Sequence, residues 1–200
     1  MSVNIAIFAS GRGSNAKTII EYFQDHPSIE VSLVISNKIQ APVLEMARSK
    51  GVSTLLIDRQ GFYNGQSLLQ VLDEFQIHLI ILAGFLWLVP GYLIQAYPER
   101  ILNIHPALLP KYGGKGMYGR HVHEAVKAAG ERHSGITIHL VDEEYDRGKI
   151  LFQTTCALTE SDTPETIAQK IHKLEHEYFP LVIQQFIEER YSTEIEAAQS

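Results

Sequence analysis

Four short apolar runs alternate with amphipathic segments in the first 83 residues, and that alternation restricts the chain to one kind of architecture. Val3 to Ala9 is rich in β-branched and aromatic residues and stops at Ser10-Gly11. It is too short for a helix and reads as a buried strand. Val31 to Ile35, Val52 to Ile57 and His78 to Ala83 repeat the pattern, the last as the apolar run expected of a strand covered on both faces. Between the strands the spacing is helical. Ser14 or Asn15 is placed to cap a helix running to about Phe23, with Ile19, Ile20 and Phe23 on one face. Pro42 opens a second helix that carries Val43, Leu44 and Ala47 and ends at Gly51. Leu68, Leu69, Leu72 and Phe75 mark a third over Gln66 to Phe75. Strands that follow one another through helices pair in parallel. The reading is therefore α/β: a Rossmann-like, doubly wound, mostly parallel sheet.

The second half departs from that rhythm. Ile101 to His105 is a short strand stopped by Pro106, and Pro110 to Gly119 is a loop with four glycines. A helix is expected over His121 to Ala129. Ser134 to Val141 and Ile150 to Leu158 read as strands joined by the acidic turn Asp142 to Gly148, an antiparallel C-terminal extension of the sheet. Thr163-Pro164-Glu165 starts the last helix, striped by Ile167, Ile171, Leu174 and Tyr178. Pro180 is expected to kink it or to start a new turn, and residues 188–200 are expected to fray as a polar tail.

Composition narrows the function. At 200 residues and 45% hydrophobic, the chain can bury one sizeable core without disulfide or metal. Acidic residues outnumber basic ones, 23 to 17, and Lys and Arg nowhere cluster, which argues against a nucleic-acid partner. Cys156 stands alone, which suits a reducing cytoplasm. The N-terminus lacks a basic n-region and a cleavage pattern, and the longest apolar run, Leu79 to Val89, is about half a membrane span. Neither a signal peptide nor a membrane partner is expected.

Two groups of residues carry chemistry. The first is Ser10-Gly11-Arg12-Gly13-Ser14-Asn15, between the first strand and the first helix. Glycines let the backbone approach a ligand, and a helix N-terminus offers free N–H groups and a positive dipole end to a phosphate. The same residues fit a plain tight turn. Gly11 to Ala16 also fits the dinucleotide pattern G-x-G-x-x-A, although Ser36, Asn37 and Lys38 stand where a ribose-binding acid would be expected. Lys38 leaves NADP open.

The second group is Asn103-Ile104-His105-Pro106. Spacing of two puts Asn103 and His105 on one strand face, at the sheet edge where open α/β folds bind ligands. An amide N–H beside an imidazole suits a tetrahedral acyl-type intermediate; a buried polar pair is the alternative. Asp146, in the acidic turn, is a candidate carboxylate partner for His105, against a merely solvated turn. His121-Val122-His123 lacks further ligands at metal spacing, so no metal is expected there and a surface or substrate-adjacent role is preferred. His133 and His139 flank a strand and are candidates for burial with hydrogen bonds. Cys156, mid-strand, reads as packing.

Taken together these residues resemble the folate-dependent glycinamide ribonucleotide formyltransferases of purine synthesis, over about residues 3 to 187. The marks are Ser10 to Asn15, Ser36-Asn37-Lys38, Leu82-Ala83-Gly84-Phe85, Asn103 to Pro110 and Asp142 to Gly148. The resemblance implies a single domain over residues 1–187, its phosphate-binding half at 1–100 and its folate-binding and catalytic half at 101–187. It implies formyl transfer from the co-substrate 10-formyltetrahydrofolate to the amine of 5-phosphoribosyl-glycinamide, without a metal, by a monomer or homodimer. Gly13, Ser14 and Asn15 would hold the phosphate; Asn103 and His105 would stabilise the intermediate. Asp146 would keep His105 protonated and help move a proton through water. Leu86, Trp87, Leu88, Val89, Asn103 and Val141, with the turn Asp142, Glu143, Glu144, Tyr145 and Asp146, would form the folate pocket. His172, Lys173, Leu174 and Glu175 would reach the substrate ribose, Glu175 foremost. A cis Leu109-Pro110 bond would follow from the family.

Three departures from the family pattern stand out. Trp87 stands where many members carry Arg. The loop Tyr112 to Arg120 is longer and richer in glycine than usual, as if to order over substrate. No Arg lies near residue 64 to meet the phosphate, which leaves Arg59 or Lys38 as substitutes. Among rivals, methionyl-tRNA formyltransferase calls for a tRNA-binding domain and a basic surface, and a formyltetrahydrofolate hydrolase for a regulatory domain. A non-catalytic NADP-binding Rossmann module is the alternative from another class.

Overall fold

The computed structural model describes the backbone of residues 2–199 and the side chains of residues 2–191. A seven-stranded sheet runs in the order β3-β2-β1-β4-β5-β6-β7. Its strands are β1 (Val3–Phe8), β2 (Ile29–Ser36), β3 (Ser53–Leu56), β4 (Ile77–Leu82), β5 (Ile101–His105), β6 (His133–Leu140) and β7 (Ile150–Ala157). Strands β1 to β5 pair in parallel, whereas β6 and β7 are antiparallel to their neighbours. The helices are α1 (Ser14–Phe23), α2 (Pro42–Ser49), α3 (Arg59–Asn64), α4 (Gln66–Glu74), α5 (Gly91–Ala96), α6 (Arg120–Ala128) and α7 (Pro164–Gln199).

The continuous apolar runs are explained by two cores, one on each side of the sheet. Along β1, Val3, Ile5 and Ile7 face the core beneath α1, α2, α6 and α7. Ala6 and Phe8 face the core shared with α3, α4 and α5. The chain winds from β1 outward to β3, then crosses back to β4. The loops after β1 and β4 therefore diverge, and a crevice opens between them at the carboxyl ends of the strands.

Several local expectations change. Gly13, in the left-handed conformation, caps α1, and neither Ser14 nor Asn15 makes a side-chain cap bond. A Cβ on Gly13 would lie 2.3 Å from Val43 Cγ2, so the loop packs against α2 at a distance only glycine allows. Helices α3 and α5 occupy stretches in which no element was expected; Asp58 caps α3 by accepting the Gly61 N–H at 2.7 Å. Helix α7 continues past Pro180 and past residue 187, with Phe179, Ile183, Ile187 and Tyr191 buried. This burial holds α7 to the sheet across the missing proline donor. Of the expected frayed tail, the side chains of 192–199 and all of Ser200 lie outside the described residues. Among the described residues no helix is long and apolar enough to cross a membrane.

Candidate active site

A cleft of about 680 Å³ follows the crevice. At one end is the loop Ser10 to Asn15. Ser10 N donates to Gly84 O at 3.1 Å and Ser10 Oγ accepts Leu86 N–H at 3.1 Å, so the loops after β1 and β4 are tied together. Asn15 turns its amide nitrogen to Glu175 Oε2 at 3.1 Å, and His172 Nδ1 meets the same oxygen at 2.8 Å. Glu175 is 5% exposed, and its hydrogen bond holds the His172 imidazole above the ordinary histidine range. Asn15 Oδ1 is buried without a hydrogen-bond partner among the described residues.

At the other end β5 delivers Asn103 and His105. The β5–β6 register sets Asn103 opposite His139 and His105 opposite Thr137. Thr137 Oγ1 donates to Ala107 O at 2.7 Å and accepts Leu109 N–H at 3.0 Å, which fixes the turn beyond His105. The Leu109-Pro110 bond is cis.

The acidic turn folds back over β5. Asp146 Oδ2 lies 3.5 Å from His105 Nδ1, and Oδ1 lies 3.5 Å from both His139 Nε2 and Asn103 Nδ2. Oδ2 also accepts Gly114 N–H at 2.9 Å, so the glycine-rich loop is tied to the carboxylate.

The protons can be assigned from these partners. His105 Nε2 lies 2.7 Å from the Tyr112 carbonyl, which can only accept, so Nε2 carries a hydrogen. In the neutral ring, Nδ1 then presents a lone pair to Asp146, in keeping with a separation longer than a good hydrogen bond. His139 Nδ1 donates to Leu140 O at 2.8 Å, which leaves its Nε2 to accept from Asn103 Nδ2 at 3.1 Å. His139 thus fixes which way the Asn103 amide points. Sequence reasoning gave His139 burial and hydrogen bonds but no part in the site.

One expectation is corrected. Asp146 does favour the charged form of His105, yet burial outweighs it: the imidazole is 3% exposed, and its pKa is lowered from the usual value. In this state His105 is held neutral rather than protonated. Asp146 itself is depressed, because His139, His105 and the Gly114 N–H together outweigh its own burial.

The walls carry most of the residues expected there. Gly13, Ser14, Asn15, Lys38, Leu86, Trp87, Leu88, Val89, Val141, Glu144, Tyr145, His172 and Glu175 line the cleft with the trio. Asp142, Glu143, Lys173 and Leu174 do not. Asp142 turns inward to accept Glu144 N–H at 3.0 Å, and Leu174 packs against the core. Arg59 lies over the Tyr63 ring, 5.5 Å from its centre, off the cleft wall, whereas Lys38 is on it. Trp87 leans on Phe62, Tyr63 and Phe85. Loop residues Gly114 to Gly119 and His123 also line it. Cys156 packs beside the core, as its strand position suggested.

A glycine-rich turn at a helix N-terminus and an amide–imidazole–carboxylate group face one cleft on a doubly wound sheet, an arrangement suited to an enzyme of group transfer. Residues 3–183 match the formyl transferase family. Phosphoribosylglycinamide formyltransferase, chloroplastic, of Arabidopsis thaliana is 42% identical over 93% of this chain, and the chain spans 66% of that protein's length. Phosphoribosylglycinamide formyltransferase of Bacillus subtilis is 37% identical over 91% of this chain and 93% of its own. The crystal structure of glycinamide ribonucleotide transformylase 1 from Symbiobacterium toebii superposes with a TM-score of 0.85 at 32% identity, covering 94% of this chain and 89% of that one. The chain belongs to the formyl transferase family, in its phosphoribosylglycinamide formyltransferase branch.

Proposed function

We propose that this chain transfers a formyl group from 10-formyltetrahydrofolate to the amine of 5-phosphoribosyl-glycinamide, as a step of purine synthesis. The observation that carries the proposal is the convergence of Asn103, His105 and Asp146 at one end of a cleft whose other end is the Ser10 to Asn15 loop. The nucleotide phosphate sits against Gly13, Ser14 and Asn15, with Lys38 as the nearby cation. Glu175 and His172 meet the sugar. The pterin lies between Leu86 to Val89 and Val141, Glu144 and Tyr145. Trp87 offers an aromatic face where an arginine would supply charge.

Attack of the amine on the formyl carbon places negative charge on the formyl oxygen. The Asn103 amide N–H, aimed by His139, stabilises that charge. The growing charge adds to that of Asp146 and favours a second proton on His105, overcoming the burial that keeps the ring neutral at rest. Collapse breaks the bond from carbon to the folate nitrogen. The proton lost by the amine is taken up through water at Asp146 and His105 Nδ1, and passes from there to that nitrogen, leaving His105 neutral again. The compartment we infer is the cytoplasm, on the lone thiol Cys156; the Arabidopsis relative is named chloroplastic.

The test is consumption of 10-formyltetrahydrofolate that depends on glycinamide ribonucleotide. His105→Ala should abolish it while both substrates still bind. Tight NADPH binding without response to either substrate would overturn the reading.

A further inference from the structure

His123, on the inner face of α6, is 3% exposed and lies on the cleft wall. Its Nδ1 is buried with no hydrogen-bond partner among the described residues. An orphaned buried ring nitrogen is costly, and packing alone does not call for one. The neighbouring inward positions of α6 are filled by Val122 and Val126. The His123 ring interacts electrostatically with His172, Glu175 and His105. It shares the cleft wall with the Glu175 carboxylate and the His105 imidazole.

We propose that His123 binds the glycyl amide of the nucleotide substrate through its free ring nitrogen, fixing the nucleotide's register in the cleft. This rests on the function proposed above. A nucleotide with its phosphate at the loop, its sugar at Glu175 and its amine at His105 brings its middle past His123. The amide is the group in that middle stretch that offers both a donor and an acceptor. A neutral imidazole answers either, and burial beside His172 favours the neutral ring.

The test compares His123→Phe and His123→Asn with wild type in steady-state formyl transfer, measuring kcat and both KM values. Loss of a contact made equally in ground and transition states raises KM alone. The expected result is a nucleotide KM raised at least about ten-fold in His123→Phe, with kcat within a few-fold and the folate KM unchanged. His123→Asn, which keeps a polar head, should recover part of the loss, and it carries the test if the Phe variant is unstable. An unchanged nucleotide KM, or an equal rise in both KM values, overturns the proposal. Wild type inactive on the nucleotide would instead sink the function itself.

Discussion

Asp146→Asn is the most searching perturbation of the trio, because it removes one charge and little else. The carboxylate accepts Gly114 N–H at 2.9 Å, and an amide oxygen can keep that bond. The amide nitrogen then faces His139 Nε2, an acceptor at 3.5 Å. The fold should tolerate the change. The lost interaction is that of Asp146 with an imidazolium 3.5 Å away. Two unit charges at that distance, in an effective permittivity of about 20, attract by about 4–5 kcal/mol. The site is largely closed to solvent, with the Asp146 side chain 11% exposed, so screening removes only part of this. With roughly half retained as a net effect, about 2–2.5 kcal/mol, kcat falls about 30- to 70-fold. Both KM values should stay near wild type, measured by steady-state formyl transfer. The pH profile adds a sign. Asp146 is the largest influence raising the His105 pKa against burial, so removing it lowers that pKa further. Residual activity should move to lower pH. A loss of less than about ten-fold, or a raised folate KM at normal kcat, would make Asp146 a wall of the pocket instead of a partner of His105.

Asn103→Ala should lower kcat about 10²- to 10³-fold if the amide serves the oxyanion; a large rise in nucleotide KM at normal kcat would refute that role. Gly13→Ala forces a Cβ 2.3 Å from Val43 Cγ2 at φ +76, so urea denaturation should register a loss of about 1–3 kcal/mol, and the nucleotide KM should rise. Stability should fall as pH drops below about 6.5, because buried His105 and His123 and the half-buried His176 all have lowered pKa values. The unfolded chain takes up their protons first. His172, raised by Glu175, opposes this with stability present below its unfolded pKa and lost as pH rises through the folded one. Thermal melts from pH 7.5 to 5 should therefore show Tm falling on the acid side, and a Tm that rises there would contradict three held-down imidazoles against one held up.

What the sequence disclosed was whatever rests on contiguous residues. The runs Val3 to Ala9 and His78 to Ala83 disclosed burial on both faces, and hence the parallel sheet. Spacing of two disclosed that Asn103 and His105 share a face. The acidic turn disclosed a carboxylate near enough in kind to Asp146, but its reach depends on an antiparallel pairing that returns the chain over β5. Adjacency in the chain does not carry a residue into the cleft. Asp142 and Glu143 adjoin Glu144 in the chain, yet the turn points them away from the cleft. Lys173 and Leu174 adjoin His172, yet a helix turns about 100° per residue, so His172 and Glu175 share a face that the two between them do not. Helices α3 and α5, at six residues each, are too short for a periodic signal.

His139 and the charge on His105 were hidden for a deeper reason. Both are properties of a pair across the sheet. The registry of Asn103 with His139 arises only when β6 docks antiparallel on β5, and that registry decides which way the Asn103 amide nitrogen points. The state of His105 is a balance between a carboxylate, visible in the sequence, and burial, which is not. The Tyr112 carbonyl sharpens the point. It already holds the His105 Nε2 hydrogen, and the same loop holds Asp146 through Gly114 N–H. Proton transfer at His105 must therefore disengage one of these backbone groups or use Nδ1. Gly113 matters here because a Cβ on it would lie 2.5 Å from Leu109 Cδ2 and 3.2 Å from Asp146 Cβ. At Gly113 the loop comes this close to the trio only without a side chain.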